Sequence, residues 1–156
     1  MEISIVSIIQ AMLAPGIMIS ACGLLLLGMN NKYSIVVNRI RALTDEKRRL
    51  ISIPKQGILT SDEEKRLENI NVQIHLFAYR VVLVKEAVTS YYVAVAFYIF
   101  SSLLIGLNFL SDKQLPHIFA LAFFLCGMVS VVVGVYFAIQ EIRKGLEIVK
   151  IEITNV

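Results

Sequence analysis

The side chains best suited to chemistry in this 156-residue chain are few and widely spaced. Its histidines are His75 and His117, and its cysteines are Cys22 and Cys126. Neither histidine has a Cys, Asp or Glu at metal-ligand spacing beside it, so both read as surface histidines. The cysteines form no C-x-x-C motif and fall in different apolar runs. Counting from the run ends puts Cys22 toward the inner face and Cys126 toward the outer. At about 1.5 Å per residue their depths differ by several ångströms, which argues against a disulfide. They read as small apolar fillers. The chain has no phosphate-cradling glycine loop, no H-E-x-x-H and no paired carboxylates within its apolar runs. A non-enzyme without cofactor or metal is expected.

What the apolar runs do carry is hydroxyls, an amide and small residues at helical spacing. Ser90, Ser101 and Asn108 share one helix face with Ala94, and Tyr91, Tyr98 and Ser102 stand beside it. Such a stripe could line an uncharged pore between subunits. It could equally bond back to its own helix or to a neighbouring one, the commoner fate of hydroxyls in membranes. Ala14, Ala21 and Gly28 repeat every seven residues, with Ser7 and Ala11 near them. Ala120, Gly127, Ser130 and Gly134 share a second face. Small residues let helix backbones approach closely in lipid. Pro15-Gly16 should kink its helix and free a carbonyl.

The elements that must position these residues follow from composition. Apolar residues make up 57% of the chain and charged residues 17%, against about 25% charged in an average soluble domain. Residues 3–29, 87–111 and 118–140 contain no Asp, Glu, Lys or Arg, giving runs of 27, 25 and 23 residues. About 20 apolar residues cross a hydrocarbon core of about 30 Å, and a lone segment satisfies its backbone there only as a helix. We therefore expect an all-α membrane protein with spans at about 4–29, 86–110 and 117–140. The first run contains Ile19-Ser20-Ala21-Cys22, which looks like a lipobox. Its flank, Met1-Glu2, is acidic where a signal peptide is basic, and Leu24 to Leu27 continue the hydrocarbon past the cysteine. An uncleaved span is the better reading.

Basic residues set the expected orientation, because Lys and Arg accumulate in cytoplasmic loops. Residues 30–86 hold 11 of the 15, the tail holds Arg143, Lys144 and Lys150, and the Asp112 loop holds only Lys113. The N-terminus and the Asp112 loop should lie outside, with residues 30–85 and the tail in the cytoplasm. These cations alternate with Asp45, Glu46, Asp62, Glu63, Glu64 and Glu68. The net charge of +3 therefore signals topology and solvated faces, not nucleic-acid binding. Arg39, Arg41 and Lys85 near the inner surface are placed to touch anionic headgroups.

Residues 30–85 are expected to form a long helical hairpin. Tyr33, Val36, Ile40, Leu43 and Leu50 step by three and four, with Lys47 out of pattern, and Leu67, Ile70, Ile74, Phe77, Val81 and Val84 repeat the rhythm. That alternation is a coiled-coil seam. Pro54 and Gly57 punctuate a turn, and Thr60 with Glu63, or Ser61 with Glu64, can cap the returning helix. Arms of about 20 residues project about 30 Å. Ile139, Ile142, Leu146, Val149 and Ile153 extend the pattern over a tail helix, 141–153, expected to pack beside the hairpin with an Arg143–Glu147 pair. A short final strand also fits, since Val149, Ile151 and Ile153 alternate.

The run 19–43, ISACGLLLLGMNNKYSIVVNRIRAL, resembles a family of small bacterial membrane proteins catalogued as domain of unknown function twenty-seven twenty-one. The ISACGLLLL core, the Asn30-Asn31-Lys32 exit and the Asn38-Arg39-Ile40-Arg41 element carry the likeness. The family typically has an acidic residue where Asn38 stands, so one ion pair with a neighbouring arginine is missing here. The resemblance is specific over these 25 residues and architectural elsewhere. It implies a three-span protein of the bacterial inner membrane and supplies no activity.

No ionisable residue falls inside the three runs, which argues against a pump or coupled transporter. Three small-residue stripes exceed what one thin bundle buries, so a homo-oligomer with a cytoplasmic helical collar is expected. It would be a structural assembly or an accessory subunit beside another membrane protein. The alternative is an ion or small-solute channel lined by the second span.

Overall fold

The computed structural model describes residues 5–52, 61–108 and 115–154, all helical. Helix α1 is Ile5–Ser52, α2 is Ser61–Asn108 and α3 is Leu115–Thr154, with no strand among the described residues. The tail is therefore helix and not strand as far as Thr154. Pro54, Gly57 and Thr60, expected to make and cap the turn, lie outside the described residues. So do the side chains of Asn108, His117 and Glu147.

At 48 residues each, α1 and α2 are about 72 Å long, more than twice a hydrocarbon core. Both run without interruption from a charge-free half into a hairpin arm. The first span and the first arm are one helix, and so are the second arm and the second span. Charge marks where solvent begins along a helix, not where the helix stops. α1 passes through Pro15-Gly16 unbroken, with Pro15 buried. Asp62, Glu63 and Glu64 in the first turn of α2 complement its dipole. Pro116 sits in the first turn of α3, where its missing N–H costs little. Thr44 and Thr89 donate to the carbonyls of Ile40 and Lys85, one turn back.

α2 is the central helix. It packs along both α1 and α3, which scarcely meet each other. Among the described residues the buried positions, Leu83 of α2 apart, fall in rows of period seven. On α1 they are Pro15, Cys22, Met29, Val36 and Leu43. On α2 one row is Ile70, Val84, Tyr91 and Tyr98, and a second is Ala87, Ala94 and Ser101. On α3 they are Ala120, Gly127, Gly134 and Glu141. A seven-residue period holds two helices in contact over many turns at a shallow crossing angle. Two apolar clusters result: Cys22 with Ala94 and Tyr98, and Met29 with Val84, Ala87 and Tyr91.

Tyr98 packs against both Cys22 and the Gly127 backbone. Both thiols are free, Cys22 buried and Cys126 exposed. The tail departs from expectation, because Ile139 and Ile142 are exposed. The face that α3 turns to its neighbours is Ala138, Glu141 and Gly145.

Between the arms, Lys47 Nζ donates to Asn71 Oδ1 at 2.7 Å, which explains a lysine inside an apolar seam. Arg66 and Glu46 pair at 2.7 Å on the exposed flank, a contact that contributes little in water. Nearer the opposite end, Leu24, Leu27, Ile118 and Val132 are each about two-thirds exposed or more. Hydrocarbon or another apolar surface would cover these residues without the cost of leaving them in water.

Candidate functional site

One charged cluster among the described residues joins all three helices. Glu141 of α3 is 1% exposed. Its Oε2 accepts from Lys32 Nζ of α1 at 3.1 Å, and its Oε1 accepts from Arg80 Nε of α2 at 3.1 Å. Arg80 Nη2 also donates to Oε1. A buried carboxylate is tolerated only when paired and hydrogen-bonded, and here two cations supply three N–H donors. Arg80 is 21% exposed and Lys32 43%, so the three carry a formal excess of one positive charge. The guanidinium lies 5.8 Å from the Phe77 ring centroid, a cation–π distance.

Each member sits there for a local reason. Lys32 lies one turn past Met29 and one turn before Val36, so it borders the buried row of α1. Arg80 lies one seven-residue step before Ala87 on the second buried row of α2. Glu141 continues Ala120, Gly127 and Gly134 on α3. Gly145 makes room for the guanidinium, since a Cβ there would lie 3.3 Å from Arg80 Cζ. Because α1 and α3 barely touch, the node leaves an open groove of about 410 Å³ between them, lined by Lys32, Ile35, Val36, Arg80, Glu141, Ile142 and Gly145.

Sequence reasoning missed this node because Glu141 falls just past the charge-free run 118–140. The signal was available in the spacing, because Glu141 falls one step beyond Gly134 on the small-residue face.

The polar stripe of α2 meets α3. Ser101 Oγ donates to the Ala120 carbonyl at 2.8 Å, and Ser130 Oγ donates to the Ser90 carbonyl at 2.7 Å. Ser90 Oγ turns back to the Glu86 carbonyl of its own helix at 2.9 Å. The rings of Tyr91 and Tyr98 seat on Gly134 and Gly127, where added Cβ atoms would come within 2.6 and 2.7 Å of them. Tyr98 also packs against Phe124, ring centroids 5.5 Å apart. Its hydroxyl is buried and finds no partner among the described residues. Ser102 is half-buried.

The small residues of α1 are placed differently. Ala14, Ala21 and Gly28 are exposed, one position around the helix from the buried Pro15, Cys22 and Met29, and nothing lies within 4 Å of a Cβ added at Gly28. Gly16 is exposed as well. Arg39, Arg41 and Lys85 are exposed along the helices near the node. Among the described residues, no three His, Cys, Asp or Glu side chains gather as a metal site.

Three unbranched helices, each long and apolar enough to cross a membrane and tied at one level by an ionic node, define a small all-helical membrane protein. The chain belongs to the family described as protein of unknown function DUF2721, whose profile matches residues 12–151. No curated protein and no solved structure matches it.

Proposed function

We propose that this chain is a non-enzymatic scaffold of the bacterial inner membrane, which self-associates and carries a rigid helical stalk into the cytoplasm. Its N-terminus lies outside and its C-terminal helix inside, as the distribution of Lys and Arg favours. The observation that carries this reading is continuity. α1 and α2 each pass from charge-free span to arm without a break, and the Lys32–Arg80–Glu141 node pins the passage. Movement or load on the stalk is therefore transmitted straight into the bundle. From Lys32 to Ser52 the stalk extends about 30 Å, and around it the arms of neighbouring copies would form a coiled-coil collar.

Self-association is supported by the Ala14, Ala21 and Gly28 stripe, which no described part of the chain covers. Sedimentation in mild detergent should give a multiple of 17.5 kDa. Ala21→Leu and Gly28→Leu should shift the population toward monomer with helicity unchanged. A wild-type monomer would remove the assembly from the proposal. A cysteine at Arg48 should resist impermeant thiol reagents in intact cells, and ready labelling there would reverse the orientation. In this role the partner is another membrane protein or a further copy of the chain.

A channel lined by α2 predicts conductance in planar bilayers, altered by Ser101→Leu or Asn108→Leu. The packing of α3 over Ser90, Tyr91, Tyr98 and Ser101 supports the scaffold over the channel.

A further inference from the structure

We propose that the groove at the ionic node is a binding site for one anionic phospholipid, its phosphate held by Lys32 and Arg80. The proposal rests on the reading that this end of the bundle lies at a membrane face. Glu141 does not exhaust the cations around it. An ammonium has three donors and a guanidinium five. Lys32 donates once to Glu141, and Arg80 twice, from Nε and Nη2. The remaining donors, and the surplus positive charge, border an open groove between α1 and α3.

The groove is wrong for a free anion alone, because its walls are apolar. Ile35 and Ile142 are 61% and 50% exposed and flank the charged floor. One seven-residue step toward the charge-free halves, from Lys32 on α1 and from Ile142 on α3, brings Leu25 and Val135, each 39% exposed. They continue the same two helix faces, so an acyl chain would run along them while the headgroup rests on the node. Arg39, one such step from Lys32 the other way on α1, adds a third cation beyond the phosphate. A site with an anion-binding floor and a hydrocarbon-lined exit fits an amphiphile with a negative head. It differs from the diffuse attraction expected of Arg41 or Lys85 because it is built by three helices together.

The test uses full-length protein in mild detergent, titrated with phosphatidylglycerol or phosphatidylcholine of equal chain length, with bound lipid counted by native mass spectrometry. Wild type should retain phosphatidylglycerol about five-fold or more over phosphatidylcholine, the worth of about one cation at a lipid phosphate. Lys32→Gln should bring that ratio close to one. Ile142→Glu, at an exposed wall position, should do the same with the node intact, which separates lost binding from lost folding. Arg143→Gln removes an exposed cation two residues along α3 from Glu141, on the opposite face, and should leave the ratio unchanged. Equal retention of the two lipids by wild type would overturn the site while leaving the membrane reading in place. So would an equal loss in Arg143→Gln, which would mean diffuse attraction only. Displacement of bound lipid by excess inorganic phosphate would assign the groove to a free anion instead.

Discussion

Glu141 is almost wholly covered, yet its two partners come from helices 61 and 109 residues away in sequence. Its removal does not delete a weak surface contact; it leaves Arg80 and Lys32 repelling each other at a packed junction. Glu141→Ala should therefore lower the unfolding free energy by about 3 kcal/mol, measured by denaturant titration in detergent. Arg80→Met combined with Glu141→Leu should recover most of that loss, because apolar replacement of both partners of a buried pair is often near neutral. Tyr98 makes the opposite case. Its buried hydroxyl has no partner among the described residues, so Tyr98→Phe should raise stability by about 1 kcal/mol. A fall of that size would mean the hydroxyl is bonded after all. Gly127→Ala forces a Cβ against the same ring and should cost about 1–3 kcal/mol. Combining it with Tyr98→Ala should cost less than the sum of the single changes, a coupling that a double-mutant cycle reads directly.

Each long helix keeps one contact face along its length, and this was largely legible in the sequence. The steps at Val36, Leu43, Ile70 and Val84 are visible without coordinates, and these residues are buried. The same reasoning failed at Ile139 and Ile142 for a physical reason. Lipid is as apolar as a protein interior, so an apolar rhythm near a span can mark the surface that meets hydrocarbon. On α3 it is the small residues, Ala120, Gly127 and Gly134, that mark the packed face, and Glu141 completes their row. Lys32 and Arg80 were counted only as topology signals, because a charge census records sign and position but not angular register. The continuity of α1 has its own test. One alanine inserted between Asn30 and Asn31 rotates everything beyond it by about 100°, which swings Val36 and Leu43 off α2. Amides of the arm should then lose hydrogen-exchange protection, while those of Cys22 to Met29 keep theirs. Uniform loss along α1 would instead mean that span and arm open as a single unit.

At the scale of the molecule, α1 and α3 hardly touch each other, and both pack on the side of α2 that carries Tyr91 and Tyr98. Such a bundle buries only 17–22% of the most apolar window of each candidate span. It depends on its surroundings for the rest, whether lipid or another copy. The ordering of the ionic node along the chain has a further consequence, one of time. During synthesis Lys32 emerges first, Arg80 second and Glu141 last, well into the third helix. Until that carboxylate arrives, the two earlier helices present neighbouring positive charges with nothing between them. A chain cut short before residue 141 should thus be recognised by membrane proteases, while one extending through Gly145 should survive, as pulse-chase decay would reveal. Glu141 would then report to the cell that the third helix has been made and has docked.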